Sequence, residues 1–548
     1  MATSPPLPHP DASALRKKSR RDDMVYESLQ LAKLFALAYA PCIAGFLSLT
    51  SAVAILLIFG WDCVCMHLWG SPQARDNVLL VTAACIPTMC LLYVKLRTPP
   101  CYLVDFASFK SLDEYKLSTE YCVHLTKTCG QFTVENMLFQ LKVLLKSGLG
   151  NETYGAPVIF RDDKTPTLTA ARGEMDLMMF GALDELLLKT GLSSDRIDFL
   201  IVNVSMFYPA PSLSSHLVNH YKMRHDVKTF NISGMGCAAG MVAVDLAKDI
   251  LRVHKNKYVV IVGTENITLN WYNGNDKSML VPNCLFRCGS YALLMSNKSV
   301  DRQRSKFQLV QSVRTTTGAS DTSYNVIVTR EDHDGLVGTS LSMKLIDVAS
   351  QAITISMTRL VPYNMPFSEL LKVMVNVVQR TVFKKDMKPY MPDFKKAFNH
   401  FCLHPGGKAV IDGVGKSLHL SDYDMEPARM ALHRFGNTSS SGLWYAMAYC
   451  EAKERLKKGD KVWQVALGSG FKCNSVVWKV LRDVKPQRGF NPWMECIDNY
   501  PVEITDKITP SHKNYSLLKL CEDEANLYEE NLRRKAEEEC RGKQQAQN

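Results

Sequence analysis

From Leu34 to Trp61 the chain carries no charged side chain, and a second uncharged run extends from Asn77 to Val94. The first is about 28 residues long and the second about 18, against the roughly 20 that a helix needs to cross the hydrocarbon of a bilayer. Lipid offers the backbone no hydrogen bonds, so a segment of this kind has few choices besides helix. Pro41 and Pro87 interrupt the runs, which membrane helices tolerate. A cleaved leader is the rival reading, but its apolar region is shorter and no second run follows it. Two retained spans, 34–61 and 77–94, are therefore expected. They form a helical hairpin after a basic amino-terminal segment, 1–33.

The flanking charges give that hairpin a direction. Arg16, Lys17, Lys18, Arg20, Arg21 and Lys33 precede the first span, Lys95, Arg97 and Lys110 follow the second, and Arg75 alone lies between. The positive-inside rule then places residues 1–33 and everything beyond Val94 in the cytosol. Glycosylation sequons at Asn151, Asn203 and Asn266 are inert on that side. No carboxy-terminal retention tetrapeptide names the membrane.

Beyond the anchor the chain reads as globular. Of its 548 residues 46% are hydrophobic and 22% charged, and the net charge of +11 favours anionic partners, phosphorylated cofactors or acidic headgroups. No basic segment interleaved with aromatics suggests a nucleic-acid module, so none is expected as a partner. Seventeen cysteines are scattered without paired C-x-x-C spacing, which fits a reducing compartment and no zinc site.

Between Leu103 and Val480, valine- and isoleucine-rich runs alternate with helix patterns. "IDFLIVNVSMF" (197–207), "KYVVIVGTENI" (257–267) and "VWQVALGSGF" (462–471) read as buried strands, and 241–253 and 443–458 as helices. The expected class is α/β. The region has room for two units, 101–330 and 331–482, divided at the polar "TREDHDGLVG". A carboxy-terminal extension, 483–548, begins loop-like and ends in a charge-dense helix pattern, a solvated tail or a partner-binding arm.

"FNISGMGCAAGMVAVDLAKDIL" (230–251) places a thiol between an apolar run and a helix pattern. Its glycines miss the dinucleotide fingerprint by one residue, and no acidic residue closes the next strand at the required distance. Glycines also permit the sharp strand-to-helix turn that exposes a nucleophile. At a helix amino terminus, unpaired N–H groups and the positive dipole end favour thiolate at Cys237. The helix would bury Val242, Leu246, Ile250 and Val253 on one face. The alternative is a small buried apolar cysteine, and the turn by itself does not decide.

Two later segments offer partners. In "NHFCLHPGGKAVID" (399–412) an extended backbone puts His400, Cys402 and His404 on one face, with His404 at the strand tip before Pro405. In "HRFGNTSSSGLWY" (433–445) Asn437 precedes a Thr-Ser-Ser-Ser cap, a usual place for an exposed polar group, and His433 is also at hand. His400 and His404 lack a third metal ligand, so no metal is expected.

These blocks together, with "CYLVDFASFK", "SMFYPAPSLSSHLVNHYK", "TENITLNWYNGNDKSMLVPNCLFRCG" and "GDKVWQVALGSGFKCNS", resemble the plant-type 3-ketoacyl-CoA synthases, condensing enzymes of very-long-chain fatty-acid elongation. The resemblance covers about 101–480 in family order. It implies a thiolase-like fold of two pseudo-equivalent α/β halves in five layers. It implies an acyltransferase that joins a long-chain acyl-CoA to malonyl-CoA, with release of CO2 and CoA and no cofactor or metal. Cys237 would be the acyl-accepting nucleophile, His404 and Asn437 its partners, and His400 and His433 further family histidines. The nucleophile's own N–H and the loop Gly468, Gly470 and Phe471 are candidates for the oxyanion. The protein would sit in the endoplasmic reticulum membrane with its catalytic domain in the cytosol, with other elongase enzymes and a second copy of itself as candidate partners. One departure stands out: "RTTTGASD" carries Thr316 where many members have histidine. It motivates the alternative of a catalytically quiet or altered elongase subunit, and a polyketide-type condensing enzyme is the other rival.

Overall fold

The computed structural model describes residues 99–128, 132–381, 387 and 390–504, with isolated positions between 519 and 534. The two expected spans and nearly all of the charged tail lie outside the described residues. Among the described residues no helix is long and apolar enough to cross a membrane. The described residues separate into two compact units, one holding Pro100–Ser356 and the chain from Phe394, the other Met357–Asp393.

Thirteen strands organise the larger unit. They are β1 (Tyr102–Phe109), β2 (Lys116–Leu117), β3 (Thr153–Tyr154), β4 (Phe199–Asn203), β5 (Lys228–Ile232), β6 (Tyr258–Thr264), β7 (Ser290–Ser296), β8 (Phe307–Thr316), β9 (Ile327–Glu331), β10 (Val337–Leu341), β11 (His400–Leu403), β12 (Lys461–Gly468) and β13 (Lys472–Val480). Nine join one mixed sheet in the order β11-β12-β13-β8-β1-β7-β6-β4-β5. β2 pairs with β3, and β9 with β10, in separate hairpins.

The order conceals a repetition. β4 and β6 run parallel, and β7 and β1 follow antiparallel. β11 and β12 also run parallel, with β13 and β8 following antiparallel. The two series meet at their last strands, where Tyr102 and Leu103 of β1 face Gln308 and Phe307 of β8. By pairing, the second half therefore begins at β8, ahead of the expected division at 330/331, which falls at the end of β9 in the β9–β10 hairpin. The polar "TREDHDGLVG" signal marked a hairpin turn instead of a boundary between halves.

Two helices lie between the two series. The Ala239–Val253 helix packs on β4 and β6 and also on β8 and β13. The Gly442–Ala452 helix packs on β1, β11 and β12, and every one of its residues is buried. Contact on two sides changes the expected face of the first helix: Met241, Val242, Ala243, Val244 and Ala247 are all buried, whereas Val253 projects into solvent. A single apolar stripe is the signature of a helix with one neighbour, and this helix has two. The far side of the first half is covered by the Leu168–Thr190 and Leu213–Tyr221 helices, which close a second core over β4, β6 and β7.

Residues 483–504 are loop, as expected, yet they belong to the main core. Trp493 is fully buried and donates its indole N–H to the carbonyl of Tyr445 at 2.9 Å.

Candidate active site

Cys237 sits where β5 gives way to the inner helix. Gly234 and Gly236 adopt φ of +66° and +63°, a region that costs a residue with a Cβ. Gly236 is held to glycine twice over, because a Cβ there would lie 2.7 Å from the backbone nitrogen of Ser469. Cys237 occupies the short turn Gly236–Ala238, and no side chain caps the helix that follows. Ser205, just past β4, fixes the turn by accepting the Gly234 N–H through its carbonyl at 2.9 Å and donating its hydroxyl to the Gly236 carbonyl at 3.2 Å.

The thiol is not the anion that the helix terminus alone suggests. The residue is half-buried, but burial of the thiol itself pushes it up to about 12. A hydrogen bond with Ser439 and the Cys237 N–H pull it back down, and Glu265 pushes it further up. Desolvation outweighs the helix dipole here, so the resting group is the neutral thiol and its proton must be removed for attack.

Glu265 is the residue that sequence reasoning missed. It lies one position past β6 and is buried, with its carboxyl accepting from the N–H groups of Met206 at 2.9 Å and Ser205 at 3.3 Å. Ser439 donates its hydroxyl to the same carboxyl at 3.2 Å. Burial raises the carboxyl to about 7, against the lowering effect of those donors. A signal was available: "TEN" ends an apolar strand with a carboxylate, and the carboxyl ends of parallel strands are where α/β sheets place ligands.

His404 and Asn437 come to the same region from the second half. His404 follows β11 at its tip, as expected, with its N–H bonded to the Val465 carbonyl at 2.9 Å. The ring is buried, which lowers it to about 4, so it is neutral imidazole near neutral pH. Its Nδ1 has no hydrogen-bond partner among the described residues. Asn437 is buried, not exposed as its loop position suggested, because β-bridging to Phe286 draws it inside. Its amide donates to the Gly406 carbonyl at 3.2 Å and accepts the Ser439 N–H at 3.0 Å. A continuous polar path thus runs from the His404–Gly406 turn through Asn437 to Ser439 and then to Cys237. Ser439 holds a left-handed φ of +53°, the kind of strain that accumulates at functional sites.

The loop after β12 abuts the nucleophile turn. A Cβ on Gly468 would lie 2.7 Å from the Ala238 nitrogen and 2.9 Å from the Met235 carbonyl oxygen. Gly470, at φ +83°, turns its carbonyl against Gly318, and Phe471 is fully buried with its carbonyl accepting the Thr317 N–H at 2.9 Å. Thr316 ends β8 opposite Lys472 and is exposed.

His400 and His433 are held elsewhere. His400 starts β11, about 13 Å along an extended backbone from His404, and its Nε2 pairs with Asp460 at 2.9 Å. At that separation the two rings cannot share an ion. His433 stacks edge-on with Tyr500, whose hydroxyl lies 3.4 Å from Nδ1, and its ring fills the space beside Gly150. Both have structural partners.

Behind Glu265 lies a mainly apolar cavity lined by Met206, Ile267, Trp271, Pro282 and Phe286, among others.

Residues 93–382 match the family described as FAE1/Type III polyketide synthase-like protein, and 395–480 match the carboxy-terminal domain of 3-oxoacyl-[acyl-carrier-protein] synthase III. 3-Ketoacyl-CoA synthase 11 of Arabidopsis thaliana is 47% identical over 80% of this chain and 86% of its own length. 3-Ketoacyl-CoA synthase 16 of the same plant is 49% identical over 75% and 85%. A probable 3-ketoacyl-CoA synthase 20 of Oryza sativa subsp. japonica is 48% identical over 76% and 80%. Among solved structures, a fungal type III polyketide synthase superposes with TM-score 0.53 at 14% identity, covering 69% of this chain and 99% of that one. The enzyme PKS-I of the brown alga Ectocarpus siliculosus gives 0.55 at 15%, covering 70% and 99%. The structural likeness carries the thiolase-like α/β fold, and the sequence relatives carry more: the chain belongs to the 3-ketoacyl-CoA synthase family.

Proposed function

We propose that this protein is an acyltransferase that condenses a long-chain acyl-CoA with malonyl-CoA, giving a 3-ketoacyl-CoA two carbons longer and releasing CO2 and CoA. The observation that carries the reading is the polar path that links Cys237 through Ser439 to Asn437 and on to the His404–Gly406 turn, in a chain of this family.

The buried thiol must lose its proton as it attacks the acyl thioester. Neutral His404, with an unpartnered ring nitrogen, accepts it and returns it to the departing CoA sulfur. The acyl chain is then held as a thioester on Cys237. Malonyl-CoA follows. As its carboxylate leaves as CO2, the electron pair moves to the thioester oxygen, where the His404 ring N–H and the second Asn437 amide hydrogen stabilise the charge. The resulting carbon nucleophile attacks the acyl thioester. A carbon–carbon bond forms, the carbon–sulfur bond to Cys237 breaks, and a proton restores the thiol. The Cys237 N–H and the loop at Gly468, Gly470 and Phe471 are suited to the acyl oxyanion, because that loop packs on the nucleophile turn. No redox, metal or electron-carrying cofactor enters these steps.

The setting belongs to the same reading. The uncharged runs 34–61 and 77–94 anchor the enzyme in the endoplasmic reticulum membrane as a hairpin, with the catalytic domain in the cytosol near other elongase enzymes. A second copy pairing along β5 is supported by that strand's position at the sheet edge with four of its five residues exposed. Thr316 is exposed, so the loss of a histidine there leaves the buried constellation whole, which favours an active enzyme over a quiet subunit.

The test is a covalent intermediate. Reconstituted protein incubated with labelled acyl-CoA alone should gain one acyl group on the peptide containing Cys237, and malonyl-CoA should discharge it as 3-ketoacyl-CoA. Cys237→Ala should do neither. Absence of the adduct from the unmodified enzyme overturns the proposal.

A further inference from the structure

Within the smaller unit the Phe367–Thr381 helix buries Leu370 but leaves much of its apolar surface outside. Phe367, Leu371, Met374, Val375 and Val378 are between 40% and 64% exposed. At 100° per residue they fall in a single arc of about 100°, an uninterrupted stripe. The inward side sets polar groups beside Leu370. Glu369 is fully buried and accepts from the Tyr390 hydroxyl at 2.7 Å, the Asp393 N–H at 3.2 Å and Lys372 at 3.0 Å. Asn376 accepts the Tyr390 N–H at 2.9 Å. Rolling the helix to hide its stripe would break the three bonds to Tyr390 and Asp393, so the apolar face is locked outward. A soluble monomer rarely tolerates such a patch unless something covers it.

We propose that this stripe lies on an anionic lipid surface as an interfacial helix, a second membrane contact separate from the amino-terminal hairpin. The stripe contains no hydrogen-bonding side chain, as acyl chains require. On this helix Lys372 and Arg380 outnumber Glu369, complementing acidic headgroups. The contact would add a second tether to the bilayer, where substrates with long acyl chains partition. The inference rests on the membrane reading of residues 34–94, and its test separates the two.

The full chain is reconstituted in vesicles of phosphatidylcholine and phosphatidylserine doped with a phospholipid whose acyl chain carries a photoreactive group, and adducts are mapped by mass spectrometry. Adducts on 367–378 as well as on 34–94 are expected. Adducts on 34–94 alone overturn the inference and leave the anchor standing, and adducts on neither overturn both. Crosslinks from 367–378 to a second polypeptide, with none to lipid, also overturn it in favour of a protein partner. Leu371→Gln with Val375→Gln should lower the lipid adducts on this helix about tenfold while condensation of a short, soluble acyl-CoA is unchanged. Unchanged adducts in that variant would show that the stripe is not what meets lipid.

Discussion

At the scale of single residues, the site is governed by desolvation. A helix terminus favours thiolate by a few tenths to about 1 kcal/mol, whereas full burial moves a titrating group by several pKa units. Cys237 accordingly stays a thiol, and His404, lowered by the same cause, stays uncharged and free to take its proton. Glu265 links the two effects, because its carboxyl titrates at about 7 beside the thiol. Below that pH it is protonated and exerts no charge, and above it the carboxylate opposes formation of the thiolate. Glu265→Gln should therefore alkylate with iodoacetamide faster than the unaltered enzyme above about pH 7 and at an equal rate below it, when Cys237 modification is followed by mass. Equal rates throughout would show that the carboxylate charge is not felt by the sulfur. The glutamine also leaves one of the Ser205 and Met206 N–H groups facing a donor, at a cost of about 1–3 kcal/mol.

At the scale of elements, the turn that carries Cys237 has no freedom of its own. Ser205 holds it from β4, Ser439 meets it from the second half, and the Gly468–Phe471 loop closes against it with no room for a methyl group. Gly468→Ala should push the turn away from its partners by a few tenths of an ångström or more. The expected result is a loss of about 100-fold in kcat, the scale associated with misplacing a reacting group, in a protein that still folds. A kcat within twofold of the original would mean that the loop yields easily and does not set the position of the sulfur. The Phe367–Thr381 helix, which the sequence analysis did not single out, is likewise held by tertiary partners, with Glu369 and Asn376 bound to Tyr390.

At the scale of the whole molecule, the two halves are joined by buried charge as well as by strands. Lys306 on the approach to β8 is 1% exposed and bridges Asp105 of β1 and Glu451 of the Gly442–Ala452 helix, at 2.7 Å to each. Lys189 adds a second cation to Asp105 at 3.3 Å. Lys306→Met would leave two carboxylates buried without their shared partner, and a destabilisation of roughly 3–5 kcal/mol is expected in denaturant unfolding of the solubilised protein. A change under about 1 kcal/mol would show that the carboxyls take up protons and need no cation.

The sequence by itself determined the strand and helix types, because buried parallel strands need unbroken β-branched runs, and the glycine turn before Cys237, because only glycine enters positive φ without cost. It also placed His404 at a strand tip, since Pro405 stops the strand there. Tertiary structure alone decided which polar residues meet: Glu265 and Ser439 come from positions 174 residues apart, and the same packing sent His400 to Asp460 and His433 to Tyr500. Local pattern encodes backbone shape and burial, but the identity of a buried group's partner depends on how the two halves close on each other, which no short stretch of sequence contains.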